Sequence, residues 1–194
     1  MKRYVFDSAV LYGTIAGGFV TDDITALVAK FTEANRLGCN DEGVSFTMNQ
    51  ELHSISEAGD NERGVIGRER MISCTGTIEG SINVFDKTLF EMCSLVKDTE
   101  NTDTKYDVYI PNSSIIDESA YRDIALVGTT TTGQDMIIVC HNCLNEEGFS
   151  MDTKAKDEAV CKVKFTGRIK QEDKAFGVNA KPVEIIIPKE TVQA

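Results

Sequence analysis

From Val44 onward the chain alternates between apolar and polar side chains. Val44, Phe46, Met48 and Leu52 fall on one side of an extended segment, Ser45, Thr47, Asn49 and Glu51 on the other, and Gln50 interrupts the apolar row. Period two marks a half-buried strand. A longer run covers 71–84. There Ile72, Cys74, Ile78, Ile82 and Val84 share a face with Gly76 and Gly80, against Ser73, Thr75, Thr77, Glu79, Ser81 and Asn83. At about 3.3 Å per residue this strand reaches roughly 40 Å or more, well beyond the usual span of about five or six residues. Its glycines predict bends or bulges.

The period then changes. Asp86 is a good N-cap, and Leu89, Phe90, Cys93 and Val96 recur at helical spacing, which predicts one flanking α-helix over about 87–97. Residues 21–37 are ambiguous: Ile24, Leu27, Val28 and Phe31 fit a helix capped by Thr21 or Asp22. Further strands are expected at 105–111, 123–128, 135–144, 147–153, 159–169 and 183–188. Turns are expected at 129–133 and 147–148, and a longer loop at 152–158. The polar stretch 53–68 reads as an extended inter-strand loop, and 1–20 and 178–194 as terminal arms. The sum is one mainly-β domain over 1–194, a β-sandwich or barrel.

Composition narrows the function classes. The 194 residues are 41% hydrophobic with only 3 prolines, as a globular chain requires, and are numerous enough for a core without metal or disulfide staples. The net charge of −11 argues against tight nucleic-acid binding, which draws on Lys and Arg against phosphates. No apolar run approaches the about 20 residues that span a bilayer, so membrane insertion is not expected. The opening Met1-Lys2-Arg3 and the uncharged stretch from Ser8 to Val20 outline a signal peptide, but Asp7 breaks it, so no cleaved leader is expected. The six cysteines sit within apolar patterns, which fits reduced thiols in a cytosolic chain.

Candidate chemistry is sparse. Only His53 and His141 are available for a nucleophilic or acid–base site, and no glycine cluster matches a phosphate or dinucleotide loop. Neither an enzyme nor a cofactor is expected. Cys140-His141-Asn142-Cys143 has the spacing of half a zinc site or a redox pair. It lacks a second ligand pair, however, and extends the apolar run from Met136 to Val139. On a strand, positions 140 and 143 face opposite sides. Buried small side chains are therefore expected, and no metal. The polar face of the two long strands is more distinctive, because it holds no Lys, Arg or aromatic residue. Solvated faces usually mix in cations. A small, neutral-to-acidic face suits a channel wall past which a polyanion moves without sticking.

These features carry a resemblance. Leu37-Gly38-Cys39 leads to Glu42-Gly43-Val44-Ser45-Phe46, followed by the loop rich in Gly, Asp and Glu. Gly67-Arg68-Glu69-Arg70-Met71-Ile72 and Gly76-Thr77-Ile78-Glu79-Gly80 come next, then the helix, and later the turn Asn142-Cys143-Leu144-Asn145-Glu146-Glu147-Gly148-Phe149. Over about residues 35–169 the chain resembles the tail tube (major tail) proteins of long-tailed bacteriophages, related to the inner tubes of contractile tails and type VI secretion.

The resemblance implies a structural virion protein, assembled in the host bacterial cytoplasm. Its hexameric rings would stack into a tail tube for DNA ejection. Implied partners are further copies of the chain, a tape-measure protein, and tail-terminator and baseplate proteins, with DNA passing transiently and unspecifically. The two long strands would join across subunits into an inner barrel. Ser45, Thr47, Asn49, Glu51, Ser73, Thr75, Thr77, Glu79 and Ser81 would then face the lumen. The loop with His53, Glu57, Asp60, Glu62 and Arg63 would reach the next ring, and the arms would brace neighbours. The alternative is a monomeric soluble β-sandwich that binds a small ligand or metal, with Cys140, His141 and Cys143 as ligands.

Overall fold

The computed structural model describes residues 6–13, 18–19, 22–38, 43–54, 69–83, 85, 87–131, 133, 135–153, 159–170 and 181–189. Its strands are β1 (Phe6–Gly13), β2 (Arg36–Gly38), β3 (Ser45–Ser54), β4 (Glu69–Ile82), β5 (Leu95–Lys97), β6 (Tyr109–Pro111), β7 (Arg122–Thr130), β8 (Asp135–Asn145), β9 (Cys161–Thr166) and β10 (Val183–Ile186). Among the described residues there are two short α-helices, α1 (Ile24–Val28) and α2 (Lys87–Met92). The architecture is mainly β, as the alternation predicts. All named strand pairs are antiparallel, in the order β2-β1-β7-β8-β9-β4-β3, with β10 beside β8 and β5-β6 forming a separate small sheet.

β8 belongs to two sheets. Its first part lies between β7 and β10, and its last residues, Leu144 and Asn145, pair with β9. The change of partner happens at a bulge. Between the paired positions Arg122↔Cys143 and Ile124↔Cys140, β7 supplies only Asp123 while β8 supplies His141 and Asn142. Asn142 takes φ 50°, a conformation that asparagine tolerates better than most residues.

Strand alternation then builds the core. Leu11, Ile124, Leu126, Ile138 and Cys140 meet Ile78, Ile82, Cys161, Val163 and Phe165, with Leu89 and Met92 of α2 in the same cluster. The opposite side of the β7–β8 pair presents Ala125, Val127, Ile137 and Val139, which cluster with Leu27 of α1 and Phe19. Asp23 caps α1, its Oδ1 accepting from the Thr25 and Ala26 amides at 3.0 and 3.1 Å.

The structure corrects several element boundaries. A second helix exists, capped at Asp23 rather than Thr21 or Asp22. α2 stops at Met92 because Ser94 takes φ 60°, and Val96, counted as helical, pairs with Ile110 in β5–β6 instead. Most of 105–111 is not strand: Asp103 accepts from the amides of Lys105 and Tyr106, forming a side-chain turn that competes with a ladder. Residues 147–153 form only the bridge Asp152↔Val160. The segment 1–20, expected to be an arm, carries β1, while β10 falls within the strand expected at 183–188; both pair within the large sheet. Gly76 and Gly80 lie in unbroken register, and the bulge of β4 falls at Ile72 instead. Gly76 makes room for β10: a Cβ there would lie 2.9 Å from Cβ of Val183. Val84 and Asp86 lie outside the described residues.

Candidate assembly surface

β3 and β4 form a ribbon longer than the sheet that supports it. β4 pairs with β9 only from Thr77 to Ile82, whereas its ladder with β3 continues to Ser54↔Glu69. Among the described residues, β3 ends the sheet, so its outer edge pairs with nothing over ten residues. That edge contains neither Lys nor Pro, the usual guards against pairing with another chain.

Register gathers the predicted polar residues onto one face. Ser45 lies opposite Glu79, Thr47 opposite Thr77, Asn49 opposite Thr75 and Glu51 opposite Ser73, with Ser73 Oγ donating to Glu51 Oε2 at 3.1 Å. Ser45, Thr47, Asn49, Glu51, Thr75 and Glu79 are exposed and Ser73 is half-buried, but Thr77 and Ser81 are buried. Thr77 meets Thr166 of β9 across the ladder, hydroxyl to hydroxyl, at 3.3 Å.

β9 also corrects the cation-free reading of this face. Lys164 lies opposite Glu79 and Lys162 opposite Ser81, and Lys164 Nζ is 3.1 Å from Glu79 Oε1. Hydrogen bonding and the charge of Glu79 raise the Lys164 pKa, so the ammonium persists to higher pH than usual. The free-standing part of the ribbon carries no lysine on that face, but past the bulge Arg70, opposite His53, adds a cation beyond Glu51. Alternation along 161–166, with Cys, Val and Phe inward and Lys, Lys and Thr outward, is visible in sequence. The pairing partner of that segment is not.

The ribbon's other side was missed by sequence reasoning. The core-facing row continues from Phe46 and Ile78 past Gly76, where Val183 covers it, and then runs on uncovered. Met48 is 41% exposed, Leu52 55%, Met71 36% and Ile72 43%. A two-stranded ribbon alone is marginally stable in water. The excess strand length was the signal for this.

His53, assigned to the loop, belongs to β3 and lies opposite Arg70. Glu57, Asp60, Glu62 and Arg63 lie outside the described residues.

Cys140 and Cys143 are buried, as expected, but their facing differs from expectation. The bulge at His141 and Asn142 turns both cysteines into the same core cluster, not to opposite faces. Burial and the neighbouring Cys140 thiol push the Cys143 pKa well up, so it stays a thiol. Among the described residues, no three His, Cys, Asp or Glu side chains are grouped to hold a metal ion. The described cysteines Cys74, Cys93, Cys140, Cys143 and Cys161 form no disulfide. No helix among the described residues is long and apolar enough to cross a membrane. Compared with known proteins, the chain matches no family model and no curated protein.

Proposed function

We propose that this chain is a self-assembling structural subunit of the tail-tube type, which builds stacked hexameric rings around a lumen that DNA traverses. One observation carries the reading: the β3–β4 ribbon extends past its own sheet with an open, unguarded edge, an uncovered apolar side and a polar, lysine-free opposite side. An edge strand of this kind is completed by strand addition from another chain. With a second copy as donor, successive ribbons close into a barrel without edges. The row of Met48, Leu52 and Met71 then gains a cover, and Ser45, Thr47, Asn49, Glu51, Ser73 and Thr75 line the inside. In this arrangement Thr77 and Ser81 serve the β9 junction, and Lys164 offsets the charge of Glu79. A tape-measure protein and terminator and baseplate proteins are the partners of such a tube. Sedimentation velocity over a rising concentration series tests the reading. Boundaries far heavier than a monomer are expected, and a monomer at every concentration contradicts it.

A further inference from the structure

His141 stands between two carboxylates from different strands. Its Nδ1 is 3.2 Å from Asp123 Oδ2 of β7, and its Nε2 is 3.7 Å from Glu184 Oε2 of β10. All three side chains are largely buried, at 17%, 12% and 15% exposure. The polymerisation reading uses none of them.

Each group ties down a separate piece of chain. Asp123 accepts from the amide of Phe19 at 2.7 Å and from that of Asn142 at 3.0 Å, which fixes the bulge and the segment before α1. The His141 amide donates to the Pro182 carbonyl at 3.0 Å, and its own carbonyl accepts from the Arg168 amide at 2.8 Å. β10 is four residues long and lies at the margin of its sheet, so it depends on such side-chain ties.

We propose that Asp123, His141 and Glu184 form a proton-operated latch: protonated His141 clamps β10 against β8, and neutral His141 lets β10 leave the sheet. The charges around it set the direction. Asp123 faces His141 from β7 and Glu184 from β10, both favouring the imidazolium. Lys181, just before β10, holds Glu184 Oε1 at 2.8 Å, and Asp22 lies near enough to Lys181 to favour its charge. Arg168, whose backbone bonds His141, directs its guanidinium to Glu146 Oε1 at 2.9 Å. Cys140 and Cys143, on His141's own strand, are buried in the core.

Burial disfavours the charged ring. The hydrogen bonds and charges of Asp123 and Glu184 together outweigh it, and the net effect raises the pKa above the usual histidine value. Asp123 stays beside the ring whether or not β10 is in place, so in the latch it is Glu184 that makes the latched state the tighter proton binder. The advantage of that state is full below the released-state pKa and is lost as pH rises through the latched value. Loss of β10 would uncover the edge of β8 at Ile137–Cys140 and the space over Gly76.

The test is amide hydrogen exchange of the full chain, corrected for intrinsic rates, from about pH 5 to about pH 9, alongside an NMR titration of His141. Opening of β10 is expected to rise about tenfold for each unit by which the latched and released pKa values differ. Its midpoint should coincide with the His141 titration, while β1 and β7 stay protected. In Glu184→Gln the step should disappear. Flat β10 protection across the His141 titration overturns the latch, and so does an equal step in Glu184→Gln. The wild-type comparison decides even where the variant fails to fold.

Discussion

Val183 of β10 sits directly over Gly76 of β4, so close that a Cβ on the glycine would lie 2.9 Å from the valine's own Cβ and 3.2 Å from Cε2 of Phe46. This contact joins the last strand of one sheet to the long ribbon of the other. It also marks the point beyond which the ribbon's apolar side is uncovered. Gly76→Val has no room without moving β10, and overpacking of this kind costs about 1–3 kcal/mol. A fall in the denaturation midpoint, with faster exchange confined to β10, is the expected outcome. An unchanged midpoint would show that the contact is looser than the geometry states.

The uncovered row makes a different prediction. Leu52 is 55% exposed. Leu52→Lys should therefore leave monomer stability within about 0.5 kcal/mol and abolish assembly, because a charge enters a surface that a second copy must bury. Circular dichroism melts and sedimentation of the variant separate the two effects. Assembly at the wild-type concentration would remove the row from the interface.

The segment between β3 and β4 is predicted to act between rings. Deleting residues 55–63 should give a folded chain that no longer polymerises into long tubes. Normal tubes from the deletion, seen in the microscope, would end that assignment.

Acid stability follows from Asp123. Burial works against its ionisation, but His141 and the amides of Asn142 and Phe19 together hold its carboxyl below the ordinary value. The folded chain therefore gains stability above the unfolded carboxyl pKa of about 3.9, and the gain vanishes as pH falls through the lower folded value. Asp123→Asn should cost about 3 kcal/mol or more near neutral pH, as when one partner of a buried pair is removed. The loss should shrink toward zero in strong acid. Urea titrations of both proteins across that range measure the difference directly, and a pH-independent difference would place the carboxylate's role elsewhere.

Much of the fold is legible from side-chain period alone. The alternation in 44–52 and 71–84 marks β3 and β4, and Ile124 to Val127 and Ile137 to Cys140 mark strands apolar on both faces, as β7 and β8 are. What period cannot show is partnership. Nothing local to Lys162 or Lys164 places them beside Ser81 and Glu79, because that neighbourhood exists only through β4–β9 pairing. The Cys140–Cys143 spacing misleads for a related reason. Strict alternation fails wherever an extra residue enters a strand, and the bulge at His141 and Asn142 depends on Asp123 from another strand. Helical spacing through Val96 also misleads, since Ser94 reverses the backbone first.

The polar face keeps its expected lack of cations only in its middle, since Arg70, opposite His53, adds one past the bulge. Asn49, Glu51, Ser73 and Thr75 project where no cation from β9 reaches, while Thr77, Glu79 and Ser81 belong to the supported half with Thr166, Lys164 and Lys162.

Electron cryomicroscopy of the concentrated, full-length chain tests the central claim most directly, because it shows what lies against β3. The account predicts hollow tubes of stacked rings, with the outer edge of β3 in one copy paired to a strand of the next and Glu51 facing the lumen. Particles that remain compact monomers, or assemblies in which the β3 edge stays open to solvent, would contradict it.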